Sequence, residues 1–113
     1  MSKRSSPELI LKDIVDSGDK ILRYTNNMTY GEFINNDLTI DAVIRNFEII
    51  GEAANRLTED FKDKNSEIDW HRIRGFRNRI VHDYAGIDYE IVWQIIETFL
   101  PKMLLEIKQI IHF

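Results

Sequence analysis

The residues best suited to chemistry are concentrated in one stretch, residues 70–84, which reads WHRIRGFRNRIVHDY. Between positions 71 and 82 it holds four arginines and no carboxylate, in a chain of formal net charge −4. A guanidinium binds phosphate oxygens through a planar fork of donors, and histidine can act as a general acid or a general base. The stretch therefore favours chemistry on a phosphate group; the alternative is a solvated basic helix face that balances acidic residues elsewhere. The residues concerned are Arg72, Arg74, Arg77, Arg79 and His82.

Apolar residues at spacings of three and four predict that most of the chain is helical. Long helices are predicted over about 6–25 and 37–58, after Asp69, and after Asp88. A short helix is predicted after Thr29, and the charged segment 59–68 is predicted to be a solvated connector with room for one helical turn. The predicted fold class is all-α: an up-down helical bundle of four main helices plus short helices, in a single domain over residues 1–113.

Local signals place the ends of these helices. Ser or Thr followed three residues later by Glu is typical of a capping box, and Asp also caps helix starts. Gly18 interrupts the first helix, and Pro101 is predicted to kink or split the last helix just before that position. The predicted capping residues are Ser5 with Glu8, Thr29 with Glu32, Asp69 and Asp88.

Arg77 has an unusual place on the predicted helix after Asp69. At 100° per residue it lies about 40° from Ile73, in the middle of the apolar face. A guanidinium is rarely buried there unless it is paired or faces a polar cleft. Arg77 is therefore expected to extend to solvent, to pair with Glu48 or Glu52, or to line a cleft or a subunit interface.

His82 lies about 140° around the same ideal helix from Arg77. Two side chains so placed on one straight helix cannot easily hold one phosphate between them. Either the helix is distorted after Ile80, or two copies of the chain face each other across a dimer axis. We favour the dimer, with some distortion.

Composition excludes several other classes of function. The chain of 113 residues contains no cysteine, which excludes disulfides, zinc ribbons and thiol catalysis. Its three histidines, at positions 71, 82 and 112, lack metal-ligand spacing, so neither a metal nor another cofactor is expected. No apolar run is long enough to span a membrane, and the amino-terminal residues do not resemble a signal peptide, so the expected location is the cytoplasm.

The sequence Arg77-Asn78-Arg79-Ile80-Val81-His82-Asp83-Tyr84 resembles the Arg-x4-His-x-Tyr signature of the HepT-like proteins, a branch of the HEPN ribonuclease superfamily. The segment 49–54, IIGEAA, is similar to the Ile-Gly-Glu-Ala segment of that family's central helix. The likeness extends over about residues 8–108. One mild departure is Asp69-Trp70, which stands where the family pattern has Pro-Trp.

This resemblance implies a HEPN-like fold and a metal-independent endoribonuclease that acts as the homodimeric toxin of a toxin–antitoxin pair. It implies that Arg77 and His82 are the catalytic pair. It also implies a partner, an MntA-type nucleotidyltransferase antitoxin, that transfers AMP from ATP to Tyr84 and so inactivates the toxin. The absence of a Gly-rich phosphate loop indicates that this chain is not itself the nucleotidyltransferase.

The remaining polar residues of the stretch have supporting roles in this interpretation. Asn78, four residues before His82, is placed to orient it. Tyr84 could instead be a core aromatic residue with a polar tip. The alternative function is a non-catalytic helical module that binds a nucleotidyltransferase, a nucleotide or RNA. The residues expected to hold flanking RNA phosphates are Arg72, Arg74 and Arg79.

Overall fold

The computed structural model describes residues 6–81 and 87–111, and for residues 77–81 it describes the backbone alone. Within these ranges every regular element is a helix, which confirms the all-α prediction. The helices are α1 (Pro7–Tyr24), α2 (Tyr30–Ile34), α3 (Asp37–Arg56), α4 (Glu59–Lys64), α5 (Trp70–Val81), α6 (Tyr89–Gln94), a π-helical segment (Ile95–Phe99) and α7 (Leu100–Ile111).

Helix α3 lies at the centre of the packing, between α1 and α5, and α7 packs against α1. The predicted apolar stripe of α3 faces these neighbours, and Val43, Phe47 and Ile50 are fully buried. Phe47 meets Phe76 of α5 edge to face, with 5.1 Å between ring centres. The position of α5, which carries the basic stretch, therefore depends on the core that α3 provides.

The capping signals are confirmed at three of the four predicted helix starts. The backbone N–H of Thr29 donates to Glu32 Oε1 at 2.8 Å, and the N–H of Glu32 donates to Thr29 Oγ1 at 3.1 Å. Asp88 caps α6 by accepting from two backbone N–H groups. Asp69 Oδ1 accepts from the N–H of Arg72 at 3.0 Å.

The predicted capping box of Ser5 with Glu8 is wrong, because α1 begins one residue later than that box requires. The N-cap of α1 is Ser6, and its side chain makes no capping hydrogen bond. Pro7 is the first helical residue, and the fixed φ of proline suits that position, so proline sets the start of α1 in place of a serine cap. Ser5 itself lies outside the described residues.

Pro101 has the predicted disruptive effect, but the helix is widened rather than split. Residues 89–111 form one continuous run, with the π-helical segment directly before Leu100. The N–H of Leu100 bonds to the carbonyl of Ile95, five residues back, and Thr98 Oγ1 donates to the carbonyl of Gln94 at 2.7 Å. Because proline has no N–H and its ring crowds the preceding turn, a wider turn relieves that crowding without breaking the helix.

The charged connector 59–68 does contain a helical turn, α4, but it is not wholly solvated. The side chain of Lys62 is only 8% exposed, with its ammonium 3.5 Å from the carboxylate of Glu59. Phe61 packs against Trp70, with ring centres 6.3 Å apart, and this contact folds α4 back onto the start of α5. The aliphatic part of Lys62 is covered as a result, while its charge stays near the exposed Glu59.

Trp93 is buried at the contact between two short elements. Its ring lies 5.0 Å from that of Phe33 and 6.3 Å from that of Tyr30, centre to centre. The indole therefore attaches α6 to the short helix α2.

Two helical glycines are expected to respond in opposite ways to alanine, and neither has a positive φ. A Cβ at Gly18 would lie 2.6 Å from Cδ2 of the buried Leu104, so α7 approaches α1 closely there. A Cβ at Gly75 would meet no described atom within 4 Å other than those of its chain neighbours and of its own helix backbone. Gly75→Ala should stabilise the fold by up to about 1 kcal/mol through helix propensity. Gly18→Ala gains the same helix propensity, but its added methyl group overpacks the contact with Leu104. This variant should therefore destabilise the fold by about 1–2 kcal/mol.

Thermal unfolding of both variants beside the unmodified protein measures this difference. The expected order of Tm is Gly75→Ala highest and Gly18→Ala lowest. A higher Tm for Gly18→Ala than for the unmodified protein would show that α1 and α7 do not pack closely at this point.

Candidate nucleic-acid interface

The first half of α5 is held firmly at its start and along its buried face. The indole N–H of Trp70 donates to the carbonyl of Asn65 at 3.1 Å, and Asp69 caps the first turn. Ile73 and Phe76 are 0% and 1% exposed. The residues between these apolar positions, His71, Arg72 and Arg74, are exposed.

The structure describes the predicted catalytic residues only in part. The backbone at Arg77, Asn78 and Arg79 belongs to α5, which continues as a helix to Val81. The side chains of these three residues, and His82 and Tyr84 entirely, lie outside what the structure describes. Their catalytic, orienting and modification roles stay predictions.

The two carboxylates suggested as partners of Arg77 lie on α3. Glu48 is partly exposed and lies 4.0 Å from Arg45, an outer-limit ion pair on the same helix. Glu52 is exposed. The structure does not describe the guanidinium of Arg77, so its pairing with either carboxylate stays a prediction.

Arg72 is placed in a way that spacing did not reveal. Its guanidinium carbon lies 4.3 Å from the ring centre of Phe99 in the π-helical segment. Phe99 in turn meets Phe76 edge to face, with ring centres 5.6 Å apart. The guanidinium thus lies over an aromatic ring, a cation–π contact that favours this position of the side chain.

The exposed Arg74 faces a different part of the surface from Arg72. It lines a cleft of about 550 Å³ between α4 and α5, together with His71 and the buried Lys62. Four carboxylates line the same cleft, so its charge is mixed and it is not an electropositive track for RNA. These carboxylates belong to Glu59, Asp63, Glu67 and Asp69.

A second, smaller cleft of about 340 Å³ lies between the start of α5 and the π-helical segment. Its polar side chains come from the first turn of α5, and its apolar side comes from the core. The lining residues are Asp69, His71, Arg72, Gly75, Phe76 and Ile95.

No group of three or more His, Cys, Asp or Glu side chains in the described ranges is arranged to hold a metal ion. His71 is exposed, and His112 lies outside those ranges. Among the described helices, none is both long and apolar enough to cross a membrane.

Comparison with known proteins decides the family. The model of the family described as ribonuclease HepT-like matches residues 14–110, which include α3, α5 and the basic stretch. The chain belongs to the HepT-like ribonuclease family. The all-helical fold is consistent with this HEPN-type assignment.

The matches to named relatives cover nearly the whole chain. A protein of Methanocaldococcus jannaschii named "Putative RNase MJ1380" is 40% identical over 108 residues, which are 96% of this chain and 98% of that protein. A protein of Thermococcus cleftensis named "Probable ribonuclease HepT" is 33% identical over 101 residues, 89% of this chain and 91% of that protein. No solved structure matches the chain.

Sequence reasoning missed the contact between Arg72 and Phe99 and the second cleft beside it. Phe99 was visible only as a member of the apolar stripe of the last helix. Nothing in local spacing relates it to a residue 27 positions earlier, because the contact arises where α5 crosses the π-helical segment.

Proposed function

We propose that two copies of this chain form a metal-independent endoribonuclease, the toxin of a toxin–antitoxin pair. The proposal rests on the Arg77–Tyr84 signature in a chain of the HepT-like ribonuclease family. The names of the relatives, which describe them as RNases, support RNA as the substrate.

The chemistry requires no metal if the RNA supplies its own nucleophile. The 2′-hydroxyl loses its proton to a base and its oxygen attacks the adjacent phosphorus. The bond to the 5′-oxygen breaks, and that oxygen takes a proton from an acid. The products are a 2′,3′-cyclic phosphate and a 5′-hydroxyl, so no water is consumed in this step.

Histidine and arginine suit this reaction at neutral pH. His82 exchanges the protons, and the guanidinium of Arg77 binds the phosphate oxygens on which negative charge develops. One imidazole cannot readily act as both base and acid in a single in-line step. Two copies of the chain supply two histidines, which is why the proposal requires a homodimer with its cleft at the subunit interface.

Cleavage of RNA by the purified protein in the presence of excess EDTA tests this proposal. We expect fragments that end in a 2′,3′-cyclic phosphate, with a rate that EDTA does not change. An oligonucleotide of the same sequence with 2′-deoxy sugars has no attacking hydroxyl and should stay intact. Loss of cleavage in EDTA, with full recovery on adding Mg²⁺, would contradict the metal-independent mechanism.

Control of the toxin is the second part of the proposal. A nucleotidyltransferase antitoxin transfers AMP from ATP to the hydroxyl of Tyr84 and releases pyrophosphate. The added phosphate places negative charge and bulk two residues from His82, where they repel and displace the phosphate of RNA.

Tyr84→Phe should therefore be an RNase that the antitoxin cannot modify. After incubation with the nucleotidyltransferase and ATP, intact-mass spectrometry should find AMP on the unmodified protein and none on the variant. Cleavage should stop in the first sample and continue in the second. Tyr24→Phe, a tyrosine at the end of α1, is the matched control and should still be modified.

The alternative, a non-catalytic binding module, predicts a different pattern. The purified protein would bind the nucleotidyltransferase and leave RNA uncut at any dose. The signature would then be an interaction surface.

A further inference from the structure

We infer that the 340 Å³ cleft beside Arg72 binds one unpaired nucleobase of the RNA, stacked on the Arg72 guanidinium. This inference rests on the proposed RNase function and adds a base-binding subsite next to the catalytic residues. It replaces a phosphate contact, the role first expected of Arg72, with a stacking one.

The guanidinium is already arranged as a stacking surface. Phe99 supports it at 4.3 Å, and Phe99 is itself supported by the buried Phe76. Arg72 is exposed, and no carboxylate in the described part of the chain forms an ion pair with it. A planar cation fixed on one side by an aromatic ring offers its other face to a second flat ring, and bases stack on arginine in this way.

The lining of the cleft fits a base better than a phosphate. Phe76 and Ile95 supply an apolar side, and Gly75 leaves open the space that a side chain would occupy. The carboxylate of Asp69 repels a phosphate but accepts hydrogen bonds from amino groups on a base. At about 340 Å³ the cleft is at the small end of ligand pockets, which suits one ring system rather than a whole nucleotide.

The cleft is also close to the proposed catalytic position. Arg72 precedes Arg77 by five residues on one helix, about 7.5 Å along the axis and about 140° around it, so the two guanidinium groups do not face the same phosphate. A base held at Arg72 would therefore belong to a nucleotide that flanks the cut phosphate, and it would help to place the strand in register.

The test separates stacking from charge. Binding is measured by fluorescence anisotropy with a single-stranded oligonucleotide of 2′-O-methyl sugars, which cannot be cleaved by its own 2′-oxygen. Arg72→Lys keeps the charge and loses the plane, and we expect about tenfold weaker binding with an unchanged salt dependence. Arg23→Lys makes the same change on an exposed arginine in the last turn of α1, which also lies over an aromatic ring, that of Tyr24, and it should bind as the unmodified protein does.

Two further measurements identify the base. One abasic nucleotide, moved along the oligonucleotide, should weaken binding at a single position in the unmodified protein and at no position in Arg72→Lys. Gly75→Leu fills the cleft and should reproduce the loss without lowering Tm, because leucine favours the helix nearly as well as alanine does and no described atom outside this helix lies within 4 Å of that Cβ.

Either of two results would overturn the inference. Arg72→Lys could bind normally while Arg72→Gln binds weakly with a salt slope reduced by about 0.7, which indicates a phosphate contact. Alternatively, all variants could bind equally. If the unmodified protein cleaves RNA in either case, the proposed function stands and only the base subsite is wrong; if it neither binds nor cleaves RNA, both fail.

Discussion

His82→Ala is expected to abolish metal-independent RNA cleavage and to leave the fold intact. Loss of a general acid or base lowers the rate by about 10²–10⁴-fold. In a dimer with two copies of His82 the substitution removes both the base and the acid, so the loss should reach the upper end of that range. Arg77→Ala should lose about 10²–10³-fold, as expected when a donor to the developing charge is removed.

The measurement is the initial rate of cleavage at equal protein concentration, together with Tm and oligomeric state. The control for histidine is His112→Ala, near the carboxyl terminus. The control for arginine is Arg23→Ala, in the last turn of α1, which removes the same charge away from α5. Both controls should cleave RNA at the unmodified rate.

The double variant His82→Ala with Arg77→Ala should be little worse than His82→Ala alone. Residues that act on one transition state give strongly non-additive losses. If His82→Ala keeps full activity with a normal Tm, the catalytic assignment is wrong, whichever value Arg77→Ala gives.

Phe47→Ala is expected to lower the free energy of unfolding by about 3–5 kcal/mol, more than any other variant described here. Phe47 is fully buried at the centre of α3 and supports Phe76 at 5.1 Å. A domain of this size is typically stable by about 5–15 kcal/mol, so a large share of the free energy of unfolding would be lost. Tm should fall by about 15 °C or more.

Two variants make the Phe47 result interpretable. Leu38→Ala, also on α3 but 84% exposed, should change stability by no more than about 0.5 kcal/mol. Phe47→Leu keeps most of the volume, so it should fold and show a smaller loss if the alanine variant does not fold at all. A Tm for Phe47→Ala within a few degrees of the unmodified value would show that α5 does not depend on this contact.

The stability result bears on function because α5 carries the basic stretch. Phe47 supports Phe76, and Phe76 supports Phe99, on which Arg72 stacks. A cavity at Phe47 should therefore weaken RNA cleavage at temperatures where the protein is still folded, whereas His82→Ala removes cleavage without a change in Tm. The two variants separate a supporting role from a catalytic one.

The sequence by itself determined the fold class, most helix ends and the residues that are candidates for catalysis. These features depend on neighbours within a few positions: the apolar period of α3, the box of Thr29 with Glu32, and the missing N–H of Pro101. The signature from Arg77 to Tyr84 is also local, so the order of its residues is enough to indicate the family.

Only the tertiary structure decided which distant residues meet. It brought Leu104 onto Gly18, covered Lys62 in a segment that composition alone describes as solvated, and placed Phe99 beneath Arg72. Local spacing does not predict these contacts, because each depends on how two helices far apart in the chain pack around the shared core of α3. The same packing set the guanidinium of Arg72 on an aromatic ring, where the sequence had predicted only a phosphate contact.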